Sequence, residues 1–226
     1  MDLKRVVVTG LGALTPIGNN VSEFWNGLLK GVSGAASITR FDASKFKTRF
    51  ACELKGFDPT DFMERKEARK MDPFTQYAVV VADEAIKDSN IDLGSINLDR
   101  AGIIFASGIG GLSTFQEEVK NFCSGDGTPR YNPFFIPKMI ADIGAGQISI
   151  KYGFRGPNFV TVSACASSTN AIIDAFNYIR LGKADIFITG GSEAAVVEAG
   201  IGGFNAMKAL SESNDSPETA SRPFDK

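Results

Sequence analysis

Histidine is absent from all 226 residues. That excludes a Ser-His or Cys-His catalytic pair and a histidine-ligated metal within this chain, however suggestive a nucleophile motif elsewhere looks. Cysteine is scarce: Cys52, Cys123 and Cys165 are an odd number at wide spacing, which argues against a disulfide framework. No apolar run approaches the roughly 18 residues that cross a bilayer. The start passes straight into the short Val6-Val7-Val8 run with no secretory core. A cytoplasmic chain is the default expectation. Nor is there an excess of charge, since 24 Lys and Arg against 26 Asp and Glu leave a net −2. General nucleic-acid binding, which rests on neutralising phosphates, is disfavoured, and any basic partner surface must be local. With 43% hydrophobic and 22% charged positions, the composition is that of a globular protein with a real core.

Four short runs rich in β-branched or aromatic residues read as strands: 5–9, 101–106, 158–163 and 185–189, each ending at small residues. Helical spacing fills the intervals. Val21, Phe24, Trp25, Leu28 and Leu29 share a face before Gly31, a C-terminal stop. Phe74, Tyr77, Ala78, Val81, Ala82, Ala85 and Ile86 form a longer stripe opened by Asp72-Pro73 as N-cap and first-turn proline. Leu112, Phe115, Val119 and Phe122 form a third. All three stripes are expected to pack in the core. The alternation of strand and helix predicts an α/β fold with a mostly parallel sheet sandwiched by helices. Residues 34–70 and 125–137 look like excursions from that frame, and the polar tail 211–226 reads as an interrupted connection.

Two strands run into glycine turns, Thr9-Gly10-Leu11-Gly12 and Ser107-Gly108-Ile109-Gly110-Gly111. Neither completes a dinucleotide fingerprint, because Thr15 and Ser113 stand where a third glycine belongs, and no phosphate-binding lysine follows. The glycines let the backbone turn tightly or approach a neighbour closely, and spacing alone does not say which. Cys165 is the more pointed signal. It sits where the strand 158–163 meets a helix marked by Ala171, Ile172, Ala175, Phe176 and Ile179 and closed by Gly182. Amide donors and the positive end of a helix dipole at such a junction favour a thiolate and could bind a thioester oxyanion. Ala164 and Ala166 keep the turn narrow, as a nucleophile elbow requires. From these local features alone, a buried structural cysteine is equally compatible; Cys52 and Cys123 have no such setting.

The run Val162-Ser163-Ala164-Cys165-Ala166-Ser167-Ser168, followed by Gly190-Gly191-Ser192-Glu193-Ala194 and Gly202-Gly203-Phe204, resembles the β-ketoacyl-[acyl-carrier-protein] synthases of thiolase-like fold. The opening residues 7–18, the segment 65–72 and the ending Ser221-Arg222-Pro223-Phe224-Asp225-Lys226 are most similar to the type II condensing enzymes of bacterial fatty acid synthesis. The resemblance runs through the whole chain and is specific as a set.

It implies roles. Cys165 matches the nucleophile that takes an acyl group from the carrier protein as a thioester, which a carbanion from decarboxylated malonyl-carrier protein then attacks. Ile109 matches a side chain that gates the acyl pocket, and Phe135, Gly200 and Phe204 match positions around it. Arg65, Lys66, Arg69 and Lys70, with Arg130 and Lys208, match a surface facing the acidic acyl carrier protein. Arg65 and Arg69, like Lys66 and Lys70, are four apart, so on a helix they repel by roughly 0.2–0.5 kcal/mol per pair, which an acidic partner would relieve. No cofactor or metal is implied for the chain itself, because phosphopantetheine is carried by the acyl carrier protein. Complete family members are homodimers, with the strand before the cysteine near the two-fold axis. They draw two histidines and a lysine from a second half, and their two related halves each carry a five-stranded sheet, against four strands countable here. The resemblance therefore implies that residues 1–226 are the N-terminal β-ketoacyl synthase domain of a truncated chain, unable to condense substrates by itself and apolar where the second half would pack. The alternatives are a non-catalytic fragment that binds acyl carrier protein or a partner chain, and the ketosynthase of a polyketide pathway.

Overall fold

The computed structural model describes residues 3–225. In chain order the helices are α1 Val21–Leu29, α2 Arg65–Ala68, α3 Pro73–Ser89, α4 Leu112–Ser124, α5 Phe135–Met139, α6 Ile143–Tyr152, α7 Ser167–Arg180 and α8 Glu198–Ala206. The strands are β1 Ala36–Ser37, β2 Phe50–Ala51, β3 Ala101–Ala106, β4 Asn158–Phe159 and β5 Ile186–Gly191. Packing divides the chain into two compact units. One combines the described part of Met1–Gly12 with Pro59–Ala194, and the other combines Ala13–Asp58 with the described part of Ala195–Lys226.

The first unit is a parallel sheet of order β4-β3-β5. β3 pairs with β5 from Ala101 opposite Ile186 to Ala106 opposite Gly191, and with β4 at Ile103–Asn158 and Ile104–Phe159. All six residues of β3 are buried. Its alternate side chains serve opposite faces, as the two-residue period of a strand dictates. Ala101, Ile103 and Phe105 pack with Ala78 and Ala82 of α3 and with Ala145 and Ile148 of α6. Ile104 and Ala106 pack with Ala171 and Ala175 of α7. The expected sandwich of helices around a parallel sheet is therefore present. Helix α3 begins as its sequence predicts, with Asp72 accepting the Phe74 N–H at 3.2 Å and proline in the first turn. Helix α1 stops just before Gly31, which lies at φ +62°.

Two strand expectations need correction. Residues 5–9 join no sheet among the described residues. Val6, Val7, Val8 and Thr9 instead line a cavity of about 340 Å³ together with Ile186, Phe187, Ile188 and Thr189 of β5, and among the described residues the outer edge of β5 has no strand partner. The segment is tethered at its ends, by the Lys4 N–H to the Arg180 carbonyl at 3.0 Å and by the Leu11 N–H to the Asp88 carboxylate at 2.9 Å. The run 158–163 pairs only over Asn158–Phe159. Beyond it the backbone turns into a 3₁₀ turn at Ala164–Ala166, and the Ser163 N–H bonds to Ser167 Oγ at 2.8 Å. A third correction concerns the apolar stripes. That of α3 is core, with Phe74 and Ala78 almost fully buried. In α1, Trp25, Leu28 and Leu29 are exposed, and in α4 Phe115, Val119 and Phe122 stay partly exposed although Phe135 stacks on Phe115 and Tyr131 on Phe122.

The first glycine turn has a packing explanation. A Cβ at Gly12 would stand 1.9 Å from the Val81 carbonyl oxygen and one at Gly10 2.1 Å from that of Ala85. These glycines let the backbone lie against α3, which accounts for them without a nucleotide.

In the second unit, β1 and β2 pair antiparallel at Ala36–Ala51 and Ser37–Phe50. The buried Thr48 holds the two chain segments together: its hydroxyl donates to the Ser211 carbonyl at 2.7 Å and accepts from Asn205 Nδ2 at 2.8 Å.

Candidate active site

Cys165 lies in the 3₁₀ turn Ala164–Ala166, two residues ahead of the first residue of α7, with its thiol free and exposed. Ala164 has φ +50°, a left-handed conformation that a residue with a Cβ adopts only under constraint. The constraint is visible. Buried Ser167 accepts the Ser163 N–H at 2.8 Å and donates its hydroxyl to the Ala164 carbonyl at 2.6 Å, while Asn170 Nδ2 donates to Ser163 Oγ at 2.6 Å. Ser167 and Asn170 of α7 thus clamp the two residues just ahead of the sulfur, Ser163 and Ala164. The sheet approaches this elbow closely, since a Cβ at Gly191 would fall 2.2 Å from Ser168 Oγ and 2.9 Å from the Ala106 carbonyl oxygen. Only glycine permits that contact between the end of β5 and the first turn of α7.

Ile109 sits on the second glycine turn with 46% of its surface exposed. The turn is folded by the Gly110 N–H bonding to Ser107 Oγ at 2.9 Å and tied to the end of α5 by the Gly111 N–H bonding to the Met139 carbonyl at 2.9 Å. It abuts the elbow, because a Cβ at Gly108 would lie 3.4 Å from the Ala164 carbonyl oxygen. Phe135 opens α5, half-buried, and its ring stacks with Tyr131 at 5.4 Å and Phe115 at 6.4 Å. Cys165, Ile109 and Phe135 therefore belong to one unit, linked through the turn at 107–111. Gly200 and Phe204 belong to the other; Gly200 is buried in α8 and Phe204 is 37% exposed.

Of the basic residues, Arg65, Lys66 and Arg69 are exposed on and just after α2, and the Arg69 N–H bonds to the Arg65 carbonyl at 3.2 Å, keeping the four-residue stacking. Lys70 is partly neutralised, its ammonium 2.7 Å from Glu67. Arg130 stands 3.5 Å from Asp126, both exposed. Lys208 is exposed in the second unit at φ +57°.

Two carboxylates do more than the sequence announces. Asp72 is fully buried, and besides capping α3 it accepts the Thr114 N–H at 2.9 Å and the Thr114 hydroxyl at 2.7 Å, so it anchors the first turns of both α3 and α4. Burial pushes its pKa up, against the opposing pull of the Thr114 hydrogen bonds. Glu193 accepts from Gly108 and Ile109. The Asp72-Pro73 pair announced a helix cap, but nothing in the sequence announced the second helix it would reach.

Against known proteins, the family model described as Beta-ketoacyl synthase, N-terminal domain, matches residues 3–226. The 3-oxoacyl-[acyl-carrier-protein] synthase 2 of Staphylococcus aureus (strain COL) is 49% identical over 98% of this chain and 53% of its own. The chain thus spans about half the length of the curated relatives it matches. Among solved structures, a beta-ketoacyl synthase from Burkholderia phymatum STM815 superposes with TM-score 0.84 at 29% identity, over 99% of this chain and 55% of that one. A type II PKS acyl-carrier protein in complex with its ketosynthase, bound to the hexaketide, includes a chain of TM-score 0.77 and 27% identity, covering 94% of this chain and 55% of that one.

Proposed function

This chain belongs to the beta-ketoacyl synthase family, and from that membership we propose that it carries the nucleophile of the condensing reaction of fatty acid elongation. Cys165 attacks the thioester carbonyl of an acyl chain borne on acyl carrier protein. A bond forms between its sulfur and the acyl carbon, the carbon–sulfur bond to the pantetheine arm breaks, and the arm's thiol leaves with a proton. The observation that carries this reading is the elbow itself: an exposed thiol on a strained turn, clamped by Ser167 and Asn170 at the start of a fourteen-residue helix. The N-terminus of α7 begins two residues after Cys165, where the helix dipole favours the charge that would develop. Condensation with malonyl-carrier protein would follow at the acylated sulfur. With no histidine in the 226 residues, any imidazole that stabilises the enolate in that second step would come from outside them.

On this reading Ile109 and Phe135 border the acyl chain, and Arg65, Lys66, Arg69, Lys70 and Arg130 meet the acidic carrier. The exposure of Arg65, Lys66 and Arg69 supports the second assignment. The protein would work in the cytoplasm as a homodimer joined at the edge that β4 presents; no helix among the described residues is long and apolar enough to cross a membrane.

Incubation with an acyl-pantetheine thioester, followed by intact-mass analysis and peptide mapping, should find one acyl adduct on Cys165. The adduct should vanish in Cys165→Ser and persist in Cys52→Ser and Cys123→Ser. An adduct on another residue, or none, would overturn the proposal.

A further inference from the structure

Glu193 has no part in the chemistry just described, yet its carboxylate is placed by a rigid frame. Gly191, two residues earlier, packs against Ser168 and the Ala106 carbonyl. Between them, Ser192 donates its N–H to that same carbonyl at 3.0 Å and its hydroxyl to the Phe74 carbonyl at 2.7 Å. Held so, Glu193 Oε2 accepts the Gly108 N–H at 2.7 Å and the Ile109 N–H at 3.1 Å, while Oε1 accepts the Ser107 hydroxyl at 3.2 Å. Ser107 Oγ in turn accepts the Gly110 N–H. One carboxylate therefore satisfies the consecutive amides of Gly108 and Ile109, the half of the turn that the Gly111–Met139 bond does not hold, and charge-assisted bonds of this kind are roughly twice as strong as neutral ones. The same turn presents Ile109 and touches the Ala164 carbonyl beside Cys165.

We propose that Glu193 is a positioning residue that holds the turn at 107–111, and with it the Ile109 side chain, in the placement that limits how long an acyl chain reaches Cys165. This rests on the reading of Cys165 as the acyl acceptor. Glutamine at 193 keeps an oxygen for both amides, and its NH₂ can donate to Ser107 Oγ, so the turn stays in place without the charge. Alanine leaves both amides to water.

The test uses the whole chain and two probes, butyryl- and dodecanoyl-pantetheine, with the rate of Cys165 acylation followed by mass and amide exchange of the peptide over 107–111 measured in parallel. Glu193→Ala should raise the ratio of long-chain to short-chain acylation by roughly three- to tenfold and speed exchange at Gly108 and Ile109 by a similar factor. Glu193→Gln should restore both toward wild type. Should the alanine variant not fold, Glu193→Asp, one methylene too short to span the gap, carries the same expectation. An unchanged chain-length ratio alongside faster exchange would overturn the proposal. If wild-type Cys165 takes neither probe, the reading of the nucleophile fails instead, and unaltered exchange in the variants would separately overturn the role of Glu193.

Discussion

Asp72 and Cys165 illustrate how differently two single residues can be read from sequence. The place of Cys165 at a turn just ahead of a helix was legible, because its flanking alanines and the following helical spacing are local, whereas its exposure was not. Asp72 was legible only as a cap for α3; its bond to Thr114, 42 positions away, belongs to the folded state alone. A buried carboxylate with three donors is costly to remove. Asp72→Ala strands the Phe74 and Thr114 amides, and we expect a loss of about 2–4 kcal/mol of stability by urea denaturation, with Asp72→Asn losing less. The sign of its pH dependence follows from burial. The folded pKa is raised above the ordinary 3.8, so the fold prefers the protonated form, and ionisation of this one group subtracts stability as pH rises through the raised value.

Among the elements, β3 was the best-determined from sequence, a six-residue apolar run with both faces buried. The run at 5–9 has equal β propensity and joins no sheet, because propensity records what a residue tolerates, whereas a ladder needs a partner edge at the right distance. The start of this segment is instead joined to β5 electrostatically. Asp185, just before β5, receives Lys4 Nζ at 2.8 Å and a two-pronged contact from the Arg100 guanidinium. Arg100 first and Lys4 second hold the Asp185 carboxyl well below the ordinary 3.8. A lowered folded pKa means its stabilisation is present above about pH 3.8 and is lost as pH falls through the lower folded value. We expect Asp185→Asn to lower the melting temperature at neutral pH and to show a shallower acid-induced loss than wild type below pH 4, measured by circular dichroism. A shift that is independent of pH would count against the ion pairs as its cause.

At the scale of the molecule, charge is balanced overall but locally uneven, and the exposed Arg65, Lys66 and Arg69 are where the proposed carrier recognition is tested. Reversal in Lys66→Glu/Arg69→Glu should weaken binding of an acidic carrier protein by roughly tenfold or more at low salt and flatten its dependence on ionic strength, read by surface plasmon resonance. The acyl-pantetheine reaction of Cys165, which needs no carrier surface, should be unaffected. The α/β class, the stop of α1 before Gly31, the start of α3 at Asp72-Pro73 and the position of Cys165 just ahead of a helix were determined by the sequence alone, since caps, periodicity and composition act over a few residues or none. Which runs became strands, which apolar stripes stayed in water, why Gly10, Gly12 and Gly191 are glycine, and that Glu193 reaches back 84–86 positions to the Ile109 turn were decided only by tertiary structure. Those outcomes depend on distances between segments remote in sequence, which no local pattern encodes.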